Sequence, residues 1–164
     1  MQLNWLVILL NSFVPLLVGA VYYNKMFFGG AAQSAAGPSS AAKNHPAMVY
    51  IFSLLMSVLL AVFMMPIVMH ANHLYSLIAM RDYDPGTAST AQQDVAAFMA
   101  KYGSNFRTFK HGAFHGLLTA IFGVWPILGI VALFENKGWK YIAVHVGYFA
   151  ICLMLMGGTI CAYA

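Results

Sequence analysis

Four long stretches of this chain carry no charged side chain: residues 1–24, 44–80, 111–134 and 141–164. Each is long enough to hold the roughly 20 apolar residues that a helix needs to cross a bilayer. Only 7% of the 164 residues are charged, where soluble domains average about 25%. The pattern predicts an all-α membrane protein: a four-transmembrane-helix bundle in a single domain, with spans at about 3–23, 47–75, 113–134 and 139–163. It excludes a soluble globular enzyme, a nucleic-acid module and a disordered chain. The net charge of +4 does not alter this, because the basic residues are spread over three loops and form no run. In a membrane protein such residues set orientation and meet anionic headgroups. The first run has no Lys or Arg before it and exceeds the roughly 7–15 residue core of a signal peptide, so a retained helix is expected.

Small and polar residues mark the faces on which the helices meet. Asn11, Pro15 and Gly19 recur every four residues and share one face. An amide facing lipid would lack a partner, so this face should turn inward. Gly112 with Gly116, Thr119 with Gly123, and Ala143 with Gly147 are small-residue pairs that permit close helix contact. The expected packing positions are Asn11, Pro15, Gly19, Gly112, Gly116, Gly123, His145 and Gly147. Pro66 should kink the second span. Cys152 and Cys161 point to opposite faces of the last span and cannot pair within it.

The first loop, 29–46, is small, polar and low in complexity, which predicts a mobile connector. The second loop, 81–110, opens with a turn signal at Asp84, Pro85 and Gly86. It continues with a short amphipathic surface helix at about 91–102, whose Val95, Phe98, Met99 and Tyr102 share a stripe. That helix should lie on the membrane surface, against a partner, or on its own bundle. Four crossings put both termini and the second loop on one side. Each side then holds four basic residues. The denser cluster of Lys101, Arg107 and Lys110 assigns the termini to the cytoplasm.

Two stretches look familiar together. One is Asn4-Trp5 with Gly19, Tyr22-Tyr23 and Phe27-Phe28-Gly29. The other holds, in order, Lys110-His111-Gly112, Leu133-Phe134-Glu135, Trp139-Lys140, Gly147-Tyr148 and Met156-Gly157-Gly158. The chain resembles a bacterial family of small integral membrane proteins catalogued as domain of unknown function 1761. The resemblance covers about half the chain, at both ends, and leaves 31–107 unmatched. Where that family commonly reads Asn-Ala-Gly-Tyr, this chain reads His145-Val146-Gly147-Tyr148. The resemblance implies four helices and a bacterial inner membrane, and no activity.

The chemistry-bearing residues are chiefly histidines. His70 and His73 lie near the end of the second span, about 60° apart around its axis. His111 and His115 lie at the start of the third, about 40° apart. Both pairs fall at the same membrane side. The plainest expectation is that they cap helix ends and meet headgroups. In that reading they do not converge on one atom, and each makes at most one side-chain hydrogen bond. The alternative is that they hold zinc, iron or copper, or that two ligate a haem between helices. Met64, Met65 and Met69 with His70 form a soft-donor cluster suited to Cu(I), although Met is also a common gap-filler. His145, about two turns inside the fourth span, should hydrogen-bond Asn11, Ser12 or a carbonyl of the first helix.

No nucleophile with an adjacent base, phosphate loop or carboxylate pair is visible, and no charged residue lies within a span beyond Lys140 at the edge of the fourth. The resulting expectation is a non-catalytic accessory or assembly element without a cofactor. It would form a homo-oligomer or join a larger membrane complex. A metal- or haem-binding redox protein is the first alternative, and a small-solute permease the second.

Overall fold

A computed structural model describes residues 4–37, 45–78 and 90–164. Among them are four helices or helix pairs long and apolar enough to cross a membrane: Trp5–Tyr22, Pro46–Val68, Phe109–Phe134 and Trp139–Tyr163. The chain is an all-α membrane protein.

The first span is broken in two. Helix α1 (Trp5–Asn11) starts at Asn4, whose side chain accepts from the Val7 amide, and α2 (Val14–Tyr22) follows after two residues. Pro15 accounts for the break. It lacks the amide that would bond Asn11, and its ring crowds that carbonyl. The polar side chains at the break bond back to the first helix: Asn11 Nδ2 donates to Val7 O, and Ser12 Oγ to Leu9 O.

The expected connector after the first span contains a helix, α3 (Gly29–Ala36). Its alanines are strong helix formers, and two lysines from across the bundle tie it down. Lys137 Nζ donates to Ala36 O at the helix end, and Lys140 Nζ to Ser34 Oγ.

Helix α4 (Pro46–Val68) runs through Pro66, and α5 (Ala71–Ile78) follows a break at Met69 and His70. The single helix expected over 47–75 is therefore two, divided beyond the proline. Pro66 removes only the bond to Val62 O, one turn upstream, and a span tolerates that loss. The ladder ends where the apolar run gives way to His70, Asn72 and His73. The turn expected at Asp84 to Gly86 lies outside the described residues. Helix α6 (Thr90–Tyr102) buries Val95 and packs against α5.

The third span begins earlier than the expected 113. Thr108, with extended backbone, accepts the His111 amide and starts α7 (Phe109–Thr119). A π-helical turn, Ala120–Val124, leads into α8 (Trp125–Phe134). Pro126 causes it, since its missing amide re-registers the preceding turn. The short link at 135–138 then reverses the chain into α9 (Trp139–Tyr163).

Helix α9 holds the centre of the bundle. Its Leu153, Met156 and Ile160 are fully buried with Ile8, Met64 and Ala120. The backbones of α7 and α9 nearly touch. A Cβ on Gly112 would strike Gly157 O, and one on Gly116 would strike Leu153 O. The first and last spans are antiparallel, because Thr159 meets Asn11 at one end and Tyr22 meets the Val144 carbonyl at the other. Both ends of the described chain therefore lie at one end of the bundle, beside α5 and α6.

Candidate metal centre

His70 sits in the break between α4 and α5, while His111 and His115 lie on successive turns of α7. The Thr108 cap fixes the first turn of α7. The close fit of α7 on α9 then turns its flanking face, which carries His111 and His115, toward His70. His111 Nε2 lies 3.1 Å from His70 Nε2 and 3.1 Å from His115 Nε2. One nitrogen from each of the three lies within 4.8 Å of the others. The expectation that these histidines do not converge is corrected for three of the four, and the limit of one side-chain bond each is exceeded at His111. His73 is outside the cluster, on the exposed side of α5. Sequence reasoning missed the break at Met69, which lets His70 leave the face of α4 and meet α7.

Hydrogen bonding alone does not satisfy this arrangement. A neutral imidazole nitrogen carries one proton or one lone pair. His111 Nε2 can therefore pair well with one of its two neighbours, never both. A metal ion accepts all three lone pairs at once. Ring nitrogens about 2.0–2.1 Å from a tetrahedral ion lie about 3.3 Å apart, close to the two separations of 3.1 Å at His111. Each ring would carry its proton on Nδ1. A haem does not fit between these rings. Their centroids are 4.5–5.3 Å apart in edge-on contact, which leaves no gap for a porphyrin plane.

The surroundings are mixed. His70 is exposed, so the cluster is accessible from the bundle end, while His111 and His115 are half-buried. The Phe106 ring lies against His111 at 5.2 Å, on a backbone in the left-handed region (φ 62°). Arg107 beside it donates to the carbonyls of Cys161 and Ala164, pinning this strap to the end of α9. A cavity of about 390 Å³ adjoins the cluster, walled by Met69, His70, Met99, Tyr102, Phe106 and Arg107. No carboxylate or thiol joins the three imidazoles among the described residues.

The sequence model of the family described as Protein of unknown function (DUF1761) matches residues 6–161. The chain belongs to this family. The match extends the two-ended resemblance through the middle, so it takes in His70, α5 and α6. No curated protein and no solved structure matches the chain.

In this DUF1761 chain the remaining site residues fall into two groups. Asn11 and Pro15 are buried against α9, and Gly19 lies under the Tyr148 ring. Gly112 and Gly116 form the contact with α9 already described, and Gly147 lies against the Tyr22 hydroxyl. Gly123 stands apart, since a Cβ there would meet only the Thr119 methyl of its own span.

His145 belongs to a second polar group at the other end of the bundle. Its partner is not the expected Asn11, Ser12 or carbonyl of the first helix. Tyr23 Oη lies 2.8 Å from His145 Nδ1. A phenol is protonated at neutral pH, so Tyr23 can donate to Nδ1. Tyr148 Oη donates to Pro15 O, and Tyr141 lies edge-on against His145. The signal for this partner was present in sequence as the Tyr22-Tyr23 pair, which reads equally well as an interfacial aromatic belt.

Proposed function

We propose that this chain is an integral membrane protein that binds one transition-metal ion through His70, His111 and His115. One observation carries the reading: His111 Nε2 lies 3.1 Å from two other imidazole nitrogens, an array that hydrogen bonds leave half-satisfied. Three neutral imidazoles suit zinc, copper, iron or nickel and disfavour magnesium and calcium. With three protein ligands, a fourth position stays open for water or a ligand. We assign the protein to the bacterial inner membrane, with the site on the cytoplasmic face under the positive-inside rule. The test is metal analysis of full-length protein purified from membranes without added metal. One ion per chain is expected, lost in His111→Ala and retained in His73→Ala. No bound metal, even after incubation with zinc, iron and copper salts, would overturn the reading.

A second reading, as an assembly element, is favoured by the third span. Only 11% of its most apolar window is buried within the chain, against 44% for the fourth. Gly129 on it meets nothing within 4 Å. Cross-linking through Gly129→Cys in membranes should give a dimer if copies pack on this face. Monomer alone, with the same mass in detergent, would count against it.

A further inference from the structure

We infer that the ion held by His70, His111 and His115 is monovalent copper, an assignment that rests on reading the triad as a metal site. Charge argues first. The donor set is three neutral imidazoles with no carboxylate or thiolate among the described residues, so the bound ion keeps its whole charge. Desolvation cost rises with the square of the charge, so a monovalent ion pays about a quarter of what a divalent one does.

The nearby donors argue next. Met69, directly before His70, and Met99 of α6 wall the same cavity of about 390 Å³ as His70. Met64, one turn further in, is fully buried, with its Cε 3.2 Å from where a Gly157 Cβ would lie. Thioethers are soft ligands that select Cu(I) and offer little to zinc. A cavity with two methionines in its wall, bordered by His70 of the triad, suits an ion that accepts both donor types and a low coordination number. The methionines would pass the ion in and out, while the triad holds it.

The test uses full-length protein in lipid nanodiscs, titrated anaerobically with Cu(I) against the chelator bicinchoninate, and separately with Zn(II). Cu(II) is avoided because it outcompetes zinc at almost any nitrogen site. The expected result is one Cu(I) per chain, retained when Zn(II) is added in molar excess. His111→Ala should lose it, and so should His115→Gln, a milder change that guards against misfolding, with elution profile and helical circular dichroism unchanged. Met69→Leu combined with Met99→Leu should slow copper transfer to the chelator several-fold. Unchanged transfer would remove the thioethers from the path. Displacement of copper by zinc, or binding of zinc alone, would overturn the cuprous assignment and leave the metal site standing. Binding of neither ion, and of neither iron nor nickel in the same titration, would overturn both.

Discussion

Gly112 and Gly157 face each other where the third and fourth spans come closest, and neither position has room for a side chain. Gly112→Ala would force the helices apart or strain their backbones, at a cost of about 1–3 kcal/mol. Unfolding by SDS in mixed micelles should show that loss. The control is Gly129→Ala, which meets nothing within 4 Å. It should be neutral, or stabilising by about 0.5–1 kcal/mol through helix propensity. At the other end of the bundle, Tyr23→Phe removes the donor to His145. Hydrogen bonds between membrane helices are worth about 0.6 kcal/mol on average and up to about 1.7. A double-mutant cycle with His145→Phe should return a coupling in that range, and a coupling near zero would mean that the pair is incidental. Glycine spacing was legible as a packing signal. Which glycine meets a neighbour was not, because Gly112 and Gly123 look alike in sequence and differ only in what stands opposite.

Three interruptions define the helices as elements, and two have a proline as their cause. Pro15 divides α1 from α2, and Pro126 follows the π-helical turn at Ala120–Val124. The third, at Met69 and His70, separates a membrane span from a shorter helix that packs on α6. That junction supplies one imidazole of the triad, while α7 supplies two. An ion bound there would tie the junction to the third span and damp opening of α5. Amide hydrogen exchange over Ala71–Ile78 should slow when the metal is added, while exchange in α3, at the far end of the bundle, should not change. Equal protection in both helices would point to general stabilisation rather than a local clamp. The link between α8 and α9 makes a simpler prediction. Asn136 has φ 54°, a left-handed conformation that Asn tolerates and branched residues do not. Asn136→Val should cost about 1–2 kcal/mol and Asn136→Gly little, as thermal unfolding in detergent would report.

At the scale of the whole molecule, the antiparallel first and last spans put the α8–α9 link at one end of the bundle. The histidine triad and both ends of the described chain lie at the other. Cys152 and Cys161 are buried, so they should stay silent to a membrane-impermeant maleimide. Single cysteines at Asn136 and at Thr90 should then label from opposite sides of sealed vesicles. Labelling of both from the same side would break the four-span topology.

The number of spans, the helical class and the membrane itself were determined by the sequence alone. Long charge-free runs cannot be placed in water, and the physics of transfer to lipid depends on composition more than on neighbours. The prolines also announced themselves, because the missing amide is a local property. The convergence of His70, His111 and His115 was decided only by tertiary structure. It requires the chain to leave the helix at Met69, the α7 cap to start at Thr108, and Gly112 to seat α7 so closely on α9 that its flanking face meets His70. Each of these is a weak local preference. Together they place three nitrogens around one point, and spacing along the chain carries no information about the distance between helices that are forty residues apart.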